Sequence, residues 1–276
     1  MERTFAEVDV FTAVPYLGNP LAVVLGADDL SAEQMRRFAN WTNFSETTFV
    51  TAPSEPSADY GVRIFTPSEE LPFAGHPTIG TCHIWLENGG VPKDRDHIVQ
   101  ECGIGLISLR RQGANLAFAA PSLLRSGPAD AATVSEAAVA LGIDEAAILD
   151  CEWIDNGPRW LGVLLASAED VLAITPAPSD LNLGVIGPHP AGSSVAYEVR
   201  AFFTVNGATL EDPVTGSLNA SAAQWMIRTG RFSAPYTALQ GTAMGRAGVV
   251  KITTDNDGGV WVGGSAVTCV NGTVEL

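Results

Sequence analysis

The sequence has few basic residues and no long cluster of them. Lysine and arginine total 15 against 31 aspartates and glutamates, which gives a formal net charge of −16 at pH 7. No basic run is longer than a pair such as Arg110-Arg111. A surface of this charge repels phosphate backbones. The composition therefore argues against nucleic-acid binding, and we interpret the acidity as a means of solubility.

Long apolar runs and paired cysteines are also lacking. No apolar stretch approaches the roughly 20 residues that cross a bilayer, and the N-terminus enters a strand-like run without a signal-peptide pattern. The four cysteines are scattered and none forms a Cys-x-x-Cys pair, which indicates neither a zinc site nor a disulfide framework. We therefore expect a cytoplasmic protein that binds no membrane.

The chain is rich enough in apolar residues to build a large core. Hydrophobic residues make up 46% of its 276 residues and charged residues 17%, a mix typical of globular proteins. The length suits two lobes of roughly 130 residues each. Pro121–Ala132, with two prolines and a glycine, is the best linker candidate. It predicts lobes at residues 1–120 and 121–276, with the last strand free to pair back with the first lobe.

Local patterns predict a mixed α+β fold. β-Branched and aromatic runs predict strands, and Asn271-Gly272 between two such runs predicts a C-terminal hairpin. Two predicted helices, Pro77–Glu87 and Leu218–Arg228, carry almost no charge, so both are expected to be buried on all sides. Another predicted helix, Val134–Leu141, has Thr133 in the position of an N-cap.

Two segments about half the chain apart share one pattern. Residues 65–81 and 203–220 both run from Phe-Thr through a loop with an acidic residue and a proline to a glycine that opens an apolar helix. Gly75 of the first segment aligns with Gly216 of the second. Two copies indicate duplicated lobes rather than a solenoid, which needs three or more repeats.

The repeat has a chemical consequence. The start of a helix presents unpaired N–H groups and a positive macrodipole potential, and glycine lets a ligand approach them closely. Two such starts facing one cleft would bind an anion, and a small carboxylate fits best. Alternatively, Gly75 and Gly216 only serve tight turns. The matched pair favours binding.

Four stretches resemble the characteristic motifs of the PhzF-like proteins, which are named for the phenazine-biosynthesis isomerase. They are Gly18–Val24, Asn43–Val50, Pro72–Thr78 and Glu211–Ser217. The resemblance runs from about residue 5 to the end. It implies the diaminopimelate epimerase fold, in which two similar lobes each wrap a curved, mostly antiparallel sheet around a central helix, with the site between them. It also implies proton transfer without a cofactor, and usually a homodimer.

The resemblance assigns roles to residues at matching positions. Glu46 is the implied acid/base, and His76, Asp212 and Ser217 are implied to position the substrate and assist the transfer. The implied substrate-binding residues of the two loops are Gly75, Thr78, Thr215 and Gly216. The implied activity is that of an isomerase that shifts a double bond or epimerises a centre in a small carboxylate-bearing substrate.

Each implied catalytic residue also has a simpler interpretation. From the residues alone Glu46 is more typical of a solvated loop carboxylate. Its aromatic and β-branched neighbours suit a group that both takes and gives a proton, and the family resemblance favours that role. His76 is equally typical of a helix-capping histidine, and its position disfavours the imidazolium form. Asp212 suits a cap of the following turn, and Ser217 suits an N-cap.

Other functions stay open at this point. The scaffold could serve as a non-catalytic binder of small acids. A metal-assisted enzyme using His76, Asp212 and Glu211 would need more ligands at a workable spacing. The loops also lack the two facing thiols of the diaminopimelate epimerases, and Cys82 is expected in the core, so two-thiol racemisation is disfavoured. Four aromatic residues are candidates for substrate selection: Tyr16, Trp41, Tyr197 and Phe202.

Overall fold

A computed structural model describes residues 1–113, 115–205 and 207–276 of the chain. The chain divides into two compact units. The N-terminal unit comprises Met1–Ala119 and Gly263–Leu276, and the C-terminal unit comprises Ala120–Val262. Among the described residues, no helix combines the length and hydropathy that a bilayer crossing requires.

The N-terminal unit places its second helix against a sheet. Its helices are α1 (Ala32–Thr42) and α2 (Gly75–Glu87). Its strands are β1 (Glu2–Val10), β2 (Asn19–Val24), β3 (Thr47–Thr51), β4 (Tyr60–Phe65), β5 (Glu70–Leu71), β6 (His97–Cys102), β7 (Gly105–Gln112), β8 (Asn115–Ala119) and β18 (Ala266–Glu275). Antiparallel pairs predominate, with parallel pairing of β2 with β3 and of β4 with β6.

Helix α2 is buried because its surface is apolar. It contacts β1, β2, β3 and β8, and nine of its thirteen residues are buried. Gly80 allows this close packing, since a Cβ atom there would lie 2.7 Å from Leu21 Cδ2 and 2.9 Å from Val10 Cγ2. The helix begins at Gly75, two residues before the predicted start, so the glycine itself occupies the first helical position.

Helix α1 covers a second apolar layer of the same unit. Met35, Phe38 and Ala39 of this helix pack with buried residues of β2, β3 and β4. Its start is fixed by a capping box in which Ser31 and Gln34 bond reciprocally. Asn43 ends the helix in the left-handed conformation at φ 58°, which turns the chain towards Glu46.

The predicted C-terminal hairpin is wrong. Residues Ala266–Glu275 form one strand, β18, which runs antiparallel to β1 with a register shift beside Glu7. Asn271 and Gly272 lie within it, opposite Ala6 and Phe5. Pairing along nearly the whole of β1 outweighs the local turn preference of Asn-Gly, because each added cross-strand pair stabilises the extended form.

The C-terminal unit also has a largely apolar helix among its strands. Its helices are α3 (Ala131–Leu141), α4 (Ala168–Ala173) and α5 (Gly216–Arg228). Its strands are β9 (Arg125–Pro128), β10 (Asp150–Asp155), β11 (Trp160–Leu164), β12 (Asn182–Pro188), β13 (Tyr197–Val205), β14 (Ala208–Asp212), β15 (Tyr236–Gln240), β16 (Gly248–Thr254) and β17 (Val260–Gly264), whose last two residues belong to the N-terminal unit.

Two local predictions for this unit are also wrong. The expected linker contains β9, which pairs antiparallel with β10. Helix α3 begins at Ala131 rather than Val134, because Asp130 is its N-cap and accepts a hydrogen bond from Thr133 N. An aspartate three residues earlier therefore holds the N-cap position that the sequence assigned to Thr133.

Helix α5 packs closely against a glycine of a neighbouring strand, whereas in α2 the glycine at the close contact, Gly80, belongs to the helix itself. Ten residues of α5 are buried. A Cβ atom on Gly184 of β12 would lie 2.2 Å from Leu218 Cδ1, so only glycine leaves room for the first turn of the helix. As in α2, the helix starts at the glycine, Gly216, two residues before the prediction.

Candidate active site

Glu46 lies between the end of α1 and the start of β3. Its side chain is 17% exposed, and the next four residues, Thr47 to Val50, are buried in β3. This burial contradicts the interpretation of Glu46 as a freely solvated loop carboxylate. Its Oε2 atom lies 3.4 Å from His76 Nε2. The N-terminal unit therefore brings together two of the four residues for which the resemblance implies catalytic roles.

His76 is the second residue of α2 and is 4% exposed. Burial lowers its pKa from 6.5 to about 3, although a hydrogen bond with the backbone of Pro20 acts in the opposite direction. The imidazole is therefore neutral near pH 7. Its Nδ1 atom lies 3.3 Å from Asn19 Nδ2. The ring thus lies with one nitrogen beside Glu46 and the other beside Asn19.

The Gly18-Asn19-Pro20 turn explains how Asn19 reaches the ring. Gly18 N donates to Asp9 Oδ2 at 2.9 Å. A Cβ atom on Gly18 would lie only 2.2 Å from Val10 O, so the chain passes too close to β1 for any other residue. Asp9, which is buried in β1, therefore fixes the turn that carries Asn19.

The starts of α2 and α5 differ from the starts of the other helices. Ser31, Asp130 and Ser167 cap α1, α3 and α4 with side-chain hydrogen bonds. Ala74 and Thr215, the N-caps of α2 and α5, make no such bond. The first N–H groups of a helix have no partner inside it. Neither glycine-opened start is therefore capped by the side chain of its own N-cap residue, an arrangement compatible with anion binding.

Thr78 belongs to the framework of the α2 start. Its hydroxyl donates to Ala74 O at 2.8 Å and accepts from Gln100 Nε2 at 3.1 Å. Tyr60 OH donates to Gln100 Oε1 at 3.0 Å. Thr78 and Gln100 are fully buried. The Thr78 hydroxyl is thus bonded to protein groups, and its substrate-binding role stays a prediction.

In the C-terminal unit, Asp212 and Thr215 are bonded to each other. Asp212 ends β14 and is half-buried. Its Oδ2 atom accepts a hydrogen bond of 2.5 Å from Thr215 Oγ1. The Thr215 side chain therefore binds the carboxylate instead of capping its own helix, and the structure brings together two further residues named from the resemblance.

Ser217 is the second residue of α5, and the N-cap of this helix is Thr215. The interpretation of Ser217 as an N-cap is therefore wrong. Ser217 Oγ accepts a hydrogen bond from Trp160 Nε1 at 3.1 Å, and its carbonyl oxygen accepts one from Asn156 Nδ2 at 2.8 Å. A hydroxyl that accepts such a bond can still donate its own proton.

Sequence reasoning missed the residues that hold these groups in place. They are Asp9, Gln100, Asn156, Trp160 and Gln240. Two of these residues, Gln100 in β6 and Gln240 in β15, could have been found from the sequence, since each is a glutamine in a β-forming run. A buried amide needs hydrogen-bond partners, so each glutamine predicts a polar contact inside the fold.

Several other predicted residues have structural roles. Glu211 accepts from Arg200 Nε at 2.9 Å and Nη2 at 2.8 Å, which commits its carboxylate to an ion pair. Cys82 is fully buried, as expected, and burial raises its pKa to about 12. Tyr197 and Phe202 are buried within the C-terminal unit, and their place on a pocket wall stays a prediction.

The two remaining aromatic candidates are exposed. Tyr16 is 72% and Trp41 is 80% exposed, and each lies within five residues of a site segment, at Gly18-Asn19 and at Glu46. Within the described ranges, no three His, Cys, Asp or Glu side chains cluster in a way that could hold a metal ion.

Comparison with known proteins identifies the family. The model of the PhzC-PhzF family, described as phenazine biosynthesis-like protein, matches residues 8–272. The chain belongs to the PhzC-PhzF family. This confirms the family resemblance that the four motifs indicated.

Relatives and a solved structure match over nearly their whole length. Antisense-enhancing sequence 1 of Schizosaccharomyces pombe is 36% identical, with 98% of each chain covered. Trans-2,3-dihydro-3-hydroxyanthranilate isomerase of Pseudomonas fluorescens is 35% identical, with 99% of this chain and 100% of the relative covered. A crystal structure of a Bacillus anthracis PhzF-family protein has a TM-score of 0.84 at 22% identity, with both chains fully covered.

These matches confirm the mixed α+β fold of the PhzF family and the enzyme class. Full-length relatives include several isomerases, and this member of the PhzC-PhzF family is an isomerase.

Proposed function

We propose that this isomerase transfers a proton within a small carboxylate-bearing substrate, by a double-bond shift or an epimerisation, with Glu46 as the acid/base. The observation that carries the proposal is the half-buried Glu46 carboxylate 3.4 Å from a neutral His76 ring. A carboxylate and an imidazole within reach of each other, partly removed from water, are suited to proton transfer.

The reaction balances without an added reactant. The Glu46 carboxylate removes a proton from a substrate carbon, and the electron pair of the broken C–H bond moves into the neighbouring π system. In a double-bond shift, protonated Glu46 then returns the proton to another carbon. In an epimerisation, a second donor that is reprotonated from solvent protonates the other face of the same carbon, and Glu46 releases its proton to solvent. Substrate and product have the same composition, as an isomerisation requires.

His76 suits the role of a neutral hydrogen-bonding partner. Because burial holds its pKa near 3, the ring does not carry a positive charge that would permanently pair with Glu46. The carboxyl group can therefore alternate between its two protonation states during a turnover.

The glycine-opened helix starts support a carboxylate-bearing substrate. Neither start has a side-chain cap, and backbone N–H groups at a helix start favour anions. We assign substrate positioning to Asp212 and Ser217, and backbone binding to the loops around Gly75 and Gly216. Support comes from the family membership and from the hydrogen bonds that fix Asp212 and Ser217.

Trans-2,3-dihydro-3-hydroxyanthranilate is the first substrate to test, since relatives of 33–35% identity are named for its isomerisation. It carries the carboxylate that the helix starts would bind. A homodimer is proposed on the family resemblance alone, and light scattering of the purified protein at micromolar concentration tests it.

The test replaces Glu46 by Gln, which keeps the shape and removes the titratable carboxyl. We expect Glu46→Gln to lower kcat on this substrate by about 10²–10⁴-fold, the usual contribution of a general acid/base, with an unchanged melting temperature. Glu69→Gln, the same change at an exposed glutamate of the same unit, is the control and should retain full turnover.

Three results would count against the proposal. Full activity of Glu46→Gln excludes Glu46 as the acid/base. Binding of the substrate by the native protein without any conversion supports a non-catalytic role for this compound. Equal losses in Glu46→Gln and Glu69→Gln would point to a general effect of charge.

A further inference from the structure

Gln240, the last residue of β15, is fully buried beside the start of α5. Its side-chain amide makes four hydrogen bonds. Oε1 accepts from Thr215 N at 2.9 Å and from Asn219 Nδ2 at 2.7 Å. Nε2 donates to Thr215 Oγ1 at 2.9 Å and to Asp212 O at 3.0 Å. The amide uses both of its donors and both of its lone pairs.

The orientation of this amide is fixed by its partners. Two of them are N–H donors and must meet the oxygen of Gln240. The carbonyl of Asp212 is only an acceptor and must meet the nitrogen. A flipped amide would place N–H against N–H and oxygen against oxygen, which costs free energy for every buried group left unpaired.

This orientation controls the hydroxyl of Thr215. A threonine hydroxyl has one proton to donate and two lone pairs. Because Gln240 Nε2 donates to this oxygen, its proton is directed elsewhere, and it goes to Asp212 Oδ2 at 2.5 Å. Gln240 also holds the backbone of Asp212 through its carbonyl.

We infer that Gln240 is a positioning residue that aims the carboxylate of Asp212 through the hydroxyl of Thr215. The inference rests on the proposed function, which gives Asp212 a role in positioning the substrate. Gln240 acts at both ends of Asp212: on the backbone directly and on the carboxylate through one intervening hydroxyl. Misplacing a catalytic group by about 1 Å can cost 10²-fold in rate.

A double-mutant cycle between Gln240 and Asp212 tests this. Gln240→Met keeps the length of the side chain and removes all four hydrogen bonds, and Asp212→Asn removes the carboxylate. On trans-2,3-dihydro-3-hydroxyanthranilate we expect Gln240→Met to lower kcat/KM about 10-fold in the native background and less than 2-fold in the Asp212→Asn background. The melting temperature should fall equally in both.

Gln224→Met is the matched control. Gln224 is in α5, about two turns from the helix start, and donates one hydrogen bond to Pro121 O at 3.0 Å. Its replacement should leave kcat/KM within 2-fold of the native value. Should Gln240→Met fail to fold, Thr215→Val removes the intervening hydroxyl and is expected to give the same 10-fold loss and the same dependence on Asp212.

Binding of anthranilate, measured by calorimetry, gives a readout that needs no turnover. Its affinity should fall by the same factor in Gln240→Met, Asp212→Asn and the double variant. Equal fold losses from Gln240→Met in both backgrounds would overturn the inference and leave Gln240 a purely structural residue. An active Asp212→Asn would contradict the proposed role of Asp212, whereas an inactive Asp212→Asn beside a fully active Gln240→Met contradicts only the inference.

Discussion

The start of α2 in the N-terminal unit and the start of α5 in the C-terminal unit are built on the same frame. Each follows an N-cap residue whose side chain does not cap the helix. In each, the side chain four residues on bonds back to the carbonyl of the cap: Thr78 to Ala74 O at 2.8 Å and Asn219 to Thr215 O at 2.9 Å. Each is also held by a fully buried glutamine from a strand.

The groups carried on this frame differ. The α2 start has the His76 ring beside Glu46, whereas the α5 start has the Ser217 hydroxyl and an Asp212 carboxylate held through Thr215. The two buried glutamines differ too, since Gln240 bonds to the cap and to Asp212, and Gln100 bonds only to Thr78 and Tyr60 among the contacts described above. The hydrogen bonds that hold the two helix starts are thus similar, whereas the side chains at those starts differ. We propose proton transfer for the residues of the N-terminal unit and substrate positioning for those of the C-terminal unit.

The largest expected effect is a difference in kcat between variants of His76 and Ser217, the second residues of α2 and α5. His76→Ala should lower kcat about 10²–10³-fold, because it removes the group beside the acid/base. Ser217→Ala should cost only about 10-fold, the worth of one hydrogen bond. Steady-state kinetics of both variants measure the ratio. Equal losses of kcat would contradict the different roles proposed for His76 and Ser217. The control is His97→Ala, at an exposed position.

A smaller effect concerns acid stability, to which the buried His76 ring at the start of α2 should contribute. In the folded chain the pKa of His76 is about 3 against 6.5 for a free imidazole. Between these values only the unfolded chain binds the proton, so acid favours unfolding. His76 should thus cost about 1.4 kcal/mol of stability for each pH unit from 6.5 down towards 3.

Urea titrations of the native protein and of His76→Gln measure this slope, and the variant should lose less stability over the same pH range. His97→Gln should behave like the native protein. Parallel curves for the native protein and His76→Gln would show that the buried ring is protonated in the folded chain.

The smallest effect tests the missing cap. Ala74 has an extended backbone at φ −151° and ψ 141°, which suits a serine N-cap. Ala74→Ser should raise the free energy of unfolding by up to about 1 kcal/mol and weaken anthranilate binding several-fold, because the new hydroxyl competes for the N–H groups. Ser31→Ala at the capped start of α1 should do the opposite for stability and leave binding unchanged. Tighter binding by Ala74→Ser would contradict an anion site at this start.

The sequence was sufficient for the helices that carry the candidate site. Gly75 and Gly216 open helices that end at the predicted residues, Glu87 and Arg228, because an uncharged 3.6-residue pattern followed by Asn-Gly or Thr-Gly is a strong local signal. The family could be predicted for a similar reason, since its motifs are contiguous stretches.

Contacts between distant parts of the chain could not be predicted. Asn271-Gly272 is a good local turn signal, but β1, more than 260 residues away in the chain, holds it extended. Gln240 lies 25 residues beyond Thr215, and Gln100 lies 22 beyond Thr78. Their partners are set by the pairing of β13 with β15 and of β4 with β6, which no local pattern specifies.

Solvent deuterium tests the central claim most directly. The native protein and Glu46→Gln are incubated with trans-2,3-dihydro-3-hydroxyanthranilate in D₂O, and the recovered compounds are analysed by mass spectrometry and NMR. A carboxyl group that exchanges with solvent during turnover predicts deuterium at one carbon of the product from the native protein and none with Glu46→Gln. Equal labelling with both proteins would contradict the assignment of proton transfer to Glu46.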